Sequence, residues 1–101
     1  MKILIADDHE LVRDTICAFL SNEPGLRISA AADFDGAAEL MNKEGPFDLV
    51  LLDYSMPGMN GLDGLAKAKE LNFGSPVAIL SGTAPPDVAE EALASGAAGF
   101  L

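Results

Sequence analysis

Asp7 and Asp8 stand together where the run "ILIADDHE" leaves an apolar segment, and Asp53 closes a second such run, "DLVLLD". Three carboxylates brought within a few ångströms repel one another, and without compensation at least one is driven toward protonation. A hard divalent cation removes that conflict. Mg²⁺ takes oxygen ligands at about 2.0 to 2.1 Å and usually keeps several waters, so two or three carboxylates with a backbone carbonyl suit it. The water positions can pass to phosphate oxygens, and a carboxylate can itself attack phosphorus to give an aspartyl phosphate. Such a transfer asks for positioning and for neutralisation of the equatorial oxygens, and for little else. Ser81 and Gly82, in "PVAILSG", add a hydroxyl and an amide with no Cβ beside it, a workable phosphate cradle. After Asp53 the loop "YSMPGMNGLDG" carries Pro57, Gly58, Asn60 and Gly61, which let the backbone turn sharply beside the acid. Each piece also has a bland reading: paired aspartates cap helices or sit in solvated turns, and Ser81 and Gly82 can serve the next turn alone. Their joint placement carries the case.

Positioning falls to five short apolar runs, at 2–6, 26–31, 48–53, 76–81 and 97–101, which read as strands. Between them lie segments with helical spacing. In "HELVRDTICAFLS", Val12, Ile16, Phe19 and Leu20 fall on one predicted face. "DGAAELMNK", "LDGLAKAKEL" and "PPDVAEEALASG" repeat the pattern more weakly, and Gly96 ends the last as a helix C-cap. Strict alternation of near-continuous apolar strands with helices predicts a doubly wound α/β fold, a parallel sheet covered on both faces through right-handed crossovers. Functional residues in such a sheet gather at the carboxyl ends of the strands. Asp7, Asp8, Asp53 and Ser81 therefore converge on one crevice.

The 101 residues make one domain with a single modest core. A formal charge of −10, from 16 acids against 6 bases, speaks against direct binding to nucleic acid or to an anionic membrane, since both need a basic face. Cys17, the single cysteine, has no partner for an internal disulfide. No apolar stretch approaches the roughly 20 residues of a membrane span, and the N-terminus turns acidic too early for a signal peptide. A soluble cytoplasmic chain is expected.

Taken in order, "ILIADDHE", "DLVLLDYSMPGMNGLDGL", "SPVAILSG" and "GAAGFL" resemble the receiver domains of two-component response regulators over the whole chain. The resemblance implies a flavodoxin-like, five-stranded parallel sheet in the order 2-1-3-4-5. It implies Asp53 as the phosphorylated residue, with a sensor histidine kinase as phosphodonor. Asp7 and Asp8 would be the acidic Mg²⁺ pair, and Asp53 with the backbone carbonyl of Ser55 would complete the protein ligands. Ser81 matches the hydroxyl switch, Gly82 the amide facing the phosphoryl group, and Phe100 the aromatic that moves with the switch. Ser55 and Thr83 match positions that tune the phosphoryl lifetime. "DDHE" and "GFL" look most like receivers carried by helix-turn-helix transcription regulators of the LuxR/NarL type, so control of transcription through an output domain is expected. The family has a lysine two residues beyond the position of Leu101, then a fifth helix. A receiver over 1–101, truncated within the fifth strand and lacking the final helix, is therefore expected. One phosphoryl-neutralising charge would be missing and activity should fall. One sheet face would then be covered by the first helix alone, with Ile3 and Leu101 partly bare. Homodimerisation or wider self-association through that face follows as an expectation.

Three rival readings stand beside this one. A phosphatase of the haloacid dehalogenase type needs an acid two residues after its nucleophile, where this chain has Ser55. A nucleotide-binding module needs glycines after the first strand, where this chain has two aspartates. A receiver-like binding module that is never phosphorylated would usually have lost the acids that remain here. The receiver itself is expected to be a switch that catalyses only its own phosphorylation and dephosphorylation. His9 reads as a solvated residue of the first helical turn, because histidine suits borderline metals better than Mg²⁺. Cys17, Met56 and Met59 read as packing residues.

Overall fold

The computed structural model describes residues 1–80 and 86–100. Strands β1 (Lys2–Ala6), β2 (Arg27–Ala31), β3 (Leu49–Asp53), β4 (Val77–Leu80) and β5 (Gly99–Phe100) alternate with helices α1 (Glu10–Leu20), α2 (Phe34–Glu44), α3 (Leu62–Leu71) and α4 (Pro86–Ala94). They pair in parallel in the order β2-β1-β3-β4-β5. The last strand is only two residues long, held by Ala78 opposite Gly99 and Ile79 opposite Phe100. Leu101 lies outside the described residues.

Between Lys2 at the start of β1 and Asp53 at the end of β3, the central strands are apolar throughout because both faces of the sheet are covered. Leu4, Ala6, Val50, Leu52, Val77 and Ile79 pack on one side against Phe34, Ala37 and Met41 of α2, Leu65 and Ala68 of α3, and Ala92 of α4. On the other side Ile3, Ile5, Leu51 and Ala78 meet Ile16, Cys17 and Leu20, all from α1. Among the described residues α1 covers that face alone.

Two expectations about this face need correction. Ile3 is not bare: it is 5% exposed, because Ile16, Cys17 and Leu20 reach the strands beneath. The bare apolar surface belongs to the helix itself. Phe19 is 74% exposed and Val12 44%, although both were assigned to the core-facing stripe, and Leu11 beside them is 80% exposed. An apolar arc wider than the contact with the sheet leaves its outer half in solvent.

Local chemistry fixes the remaining joints. Asp33 caps α2, its Oδ1 accepting the Gly36 amide at 2.7 Å. The end of α4 is a Schellman turn through Gly96 at φ 98°, with the Ala97 amide on Ala92 O and the Gly96 amide on Leu93 O. Asn72, fully buried just past α3, accepts the Phe47 amide at 2.7 Å and donates to the Phe47 carbonyl at 3.1 Å. The loop after Asp53 is anchored from inside by Met56 and Met59, both buried. Its outer turn is tied to α2 by the Phe34 amide donating to the Pro57 carbonyl at 3.0 Å.

Gly64 lets α3 lie against that loop. A Cβ there would run into Met59 Sδ and stand 2.6 Å from the Met59 carbonyl oxygen. Helix propensity alone favours alanine by about 1 kcal/mol, whereas overpacking costs about 1–3 kcal/mol. The carbonyl cannot swing aside as a side chain can, so Gly64→Ala is expected to lower stability in urea unfolding. A stabilised variant would show that the loop yields.

Candidate functional site

Strands β1 and β3 are neighbours in the sheet, with Ala6 opposite Leu52. Their carboxyl ends therefore release Asp7 and Asp53 side by side. Asp7 continues the ladder by one bond, its amide donating to Ala31 O at 3.0 Å, and Asp53 is still within β3. Both are buried, at 4% and 5% exposure, while the Asp8 side chain is about one-third exposed. Asp7, Asp8, His9 and Asp53 each bring one ligand atom into a group whose atoms lie within 4.8 Å of one another.

The acids differ in what satisfies them. Asp7 Oδ1 accepts the His9 amide at 2.8 Å and faces His9 Nδ1 at 3.1 Å. Asp53 Oδ1 accepts the Ser55 amide and the Ser55 hydroxyl, each at 3.3 Å. Asp53 Oδ2 is buried and, among the described residues, accepts no hydrogen bond. Its nearest cationic group is His9 Nδ1 at 3.6 Å, beyond bonding distance.

His9 is solvated at the start of α1, as the sequence predicts, but its approach to the acids is not read from the sequence. It is the N-cap residue of α1 and its side chain is 64% exposed, yet Nδ1 points back to within 3.1 Å of Asp7 and 3.2 Å of Asp8. Adjacency to the paired acids was the available signal. Arg13 was also missed. One turn into α1, its guanidinium donates to the Asp7 backbone carbonyl at 2.7 Å, which fixes the strand end without neutralising the carboxylate. Ser55 reaches the group through its amide and hydroxyl. Ser81, Gly82 and Thr83 lie outside the described residues.

Burial pushes the Asp53 carboxyl up from its ordinary 3.8, with the charges of Asp8 and Asp7 adding to the rise and the Ser55 amide opposing it. The His9 imidazole is raised from 6.5, first by its bond to Asp7 and then by the Asp8 charge. A hard-oxygen donor set with one buried, unsatisfied carboxylate oxygen fits Mg²⁺ or Ca²⁺.

The signs of these shifts set the response to pH. Asp53 has a folded-state pKa above its unfolded one, so its ionisation opposes folding. That penalty is complete above the folded value, shrinks as pH falls through it, and is gone below about 3.8. His9 acts the other way: its protonated form supports the fold, fully below about 6.5, and the support is lost as pH rises through the higher folded value. Asp53→Asn is therefore expected to stabilise the chain at pH 7, on the order of 1 kcal/mol. Thermal melts at neutral pH and below pH 3.8 check this, since the gain must close at the lower pH.

Comparison with known proteins agrees with this geometry. The model of the response regulator receiver domain matches residues 3–101. The chain is 41% identical over 101 residues to a glycerol metabolism activator of Pseudomonas putida, covering 99% of this chain and 46% of that protein. It thus spans about half the length of that curated relative. The signal receiver domain of the response regulator NarL from Mycobacterium tuberculosis superposes with a TM-score of 0.84 at 35% identity, over 99% of this chain and 81% of that one. A response regulator from Burkholderia pseudomallei, with a phosphorylated aspartic acid, a calcium ion and citrate, gives 0.86 at 26% identity, over 99% of this chain and 58% of that one. The match from Ile3 to Leu101 takes in both strands that end in acids, and the chain belongs to the response regulator receiver domain family.

Proposed function

We propose that Asp53 is the phosphoacceptor of this receiver and that Asp7, Asp8, Asp53 and the Ser55 carbonyl hold Mg²⁺. The observation that carries this reading is the contrast between the two oxygens of Asp53. Oδ1 is held by both donors of Ser55, while Oδ2 is buried among like charges with no hydrogen-bond partner among the described residues. A carboxylate oriented through one oxygen keeps the other for a new bond. When bound, the cation would neutralise the clustered carboxylates and the incoming phosphoryl oxygens.

The rest falls to the chain. Ser55 fixes the carboxylate plane, and Arg13 anchors the backbone from which Asp7 and Asp8 project. A carboxylate oxygen of Asp53 forms the O–P bond as the N–P bond of a kinase phosphohistidine breaks, and the imidazole departs as leaving group. In this reading Ser81, Gly82 and Phe100 carry the response, as the family resemblance implies. An output domain that controls transcription accords with relatives named as transcriptional regulators, of which this chain spans about half the length. The exposed Leu11, Val12 and Phe19 on α1 support self-association through that face.

Incubation with acetyl phosphate, read by intact mass, is expected to add one phosphoryl group in the presence of Mg²⁺ and none in Asp53→Asn. Absence of the gain both in this chain and in a version with a receiver-type lysine and fifth helix appended would favour the unphosphorylated binding module. Sedimentation over a rising concentration series is expected to show growing mass for the wild type and a constant monomer for Phe19→Glu. A monomeric wild type throughout would remove the self-association reading.

A further inference from the structure

The opposite end of the sheet carries a feature of the other sign. A cavity of about 450 Å³ opens there, lined by Lys2, Arg27, Ile28, Ser29, Lys43 and Glu44 over the buried Phe47. Three of the chain's six basic residues thus meet in one concavity of a protein whose net charge is −10. Register forces two of them together, because Lys2 of β1 pairs directly with Arg27 of β2. Like charges placed opposite each other across a ladder destabilise it unless something neutralises them.

The protein's own acids do this poorly. Among the described residues neither Lys2 nor Arg27 has a carboxylate within salt-bridge distance, and Lys43 is paired only with Glu39, at 2.7 Å, on an exposed helix face. Asp48 is near, but its Oδ2 accepts the Lys2 backbone amide at 2.7 Å and is not within ion-pair reach of the ammonium. The ammonium instead lies 5.2 Å from the centre of the Phe47 ring. Glu44 is the one acid on the lining.

We propose that this cavity binds a small phosphate-bearing ligand, with the Arg27 guanidinium and the Lys2 ammonium as the principal contacts and Lys43 at the rim. Arginine presents paired donors that match phosphate oxygens, and lysine adds a point charge. The volume is that of a small-molecule site. An acidic macromolecule is disfavoured, because the chain's overall charge repels it at long range. The site is separate from the acidic crevice: β1 begins in one and ends at the other, roughly 16 Å away at strand rise.

The test is an amide-resolved NMR titration with pyrophosphate in Mg²⁺-free buffer, where the acidic crevice repels the probe, repeated with sulfate and with a nucleoside monophosphate. Saturable shifts are expected at Lys2, Arg27, Ser29, Lys43 and Phe47, with a dissociation constant below about 1 mM. Arg27→Gln is expected to weaken binding at least about tenfold with a melting temperature no lower than the wild type's, since a like-charge pair is removed, and Glu44→Gln is expected to tighten binding. Stronger binding of the nucleoside monophosphate than of pyrophosphate would identify an organic phosphate as the ligand class. Failure to saturate, equal binding of sulfate, or an Arg27→Gln variant that binds like the wild type would each overturn the proposal. None of these outcomes depends on whether Asp53 is phosphorylated.

Discussion

Mutual repulsion among Asp7, Asp8 and Asp53 is the constraint around which the rest of the molecule is arranged. Two of these acids are almost fully buried, and their ligand atoms share a space of under 5 Å with those of Asp8 and His9. Nothing local drives such a cluster together. The sheet does, by pairing β1 with β3 in a register that ends both strands at the same edge. The core of Leu4, Ile5, Val50 and Leu52 beneath, all inaccessible to solvent, supplies the free energy that the acids oppose. An exposed imidazole relieves only part of the strain, and the Arg13 guanidinium, spent on the Asp7 backbone carbonyl, relieves none of it directly. The residual negative charge is what a divalent cation would relieve, and the chain that carries it belongs to the receiver family.

Much of this was legible because the strands announce themselves. Buried on both sides, they read as runs of Ile, Leu, Val and Ala, and the acids that end two of them mark the carboxyl edge without reference to any fold. The α4 terminus was legible for a similar reason, since Gly96 adopts a conformation that other residues avoid. The methionines of the loop after Asp53 were legible as packing residues, and Met56 and Met59 are buried.

What stayed hidden depends on contacts that no periodicity encodes. The stripe on α1 predicts an amphipathic helix correctly but not how much of a wide apolar arc the sheet covers, so Phe19 and Val12 lie outside while Cys17 lies within. Metal preference says little about where His9 sits, because its position depends on charge: an imidazole next to two acids turns toward them. The basic cavity is invisible in the sequence, because Lys2, Arg27 and Lys43 are scattered and become neighbours only through strand register and the end of α2.

Asn72 bears on how the molecule opens. Its side chain offers Phe47 a donor and an acceptor as a neighbouring strand would, and so sews the approach to β3 onto the residue that follows α3, 25 positions along the chain. The stretch between them is thereby closed into a ring of non-covalent bonds, and its two ends must come apart together. In hydrogen exchange the Phe47 amide then reports on the last turn of a distant helix, and the β3–α3 unit behaves as one cooperative block in the middle of the fold.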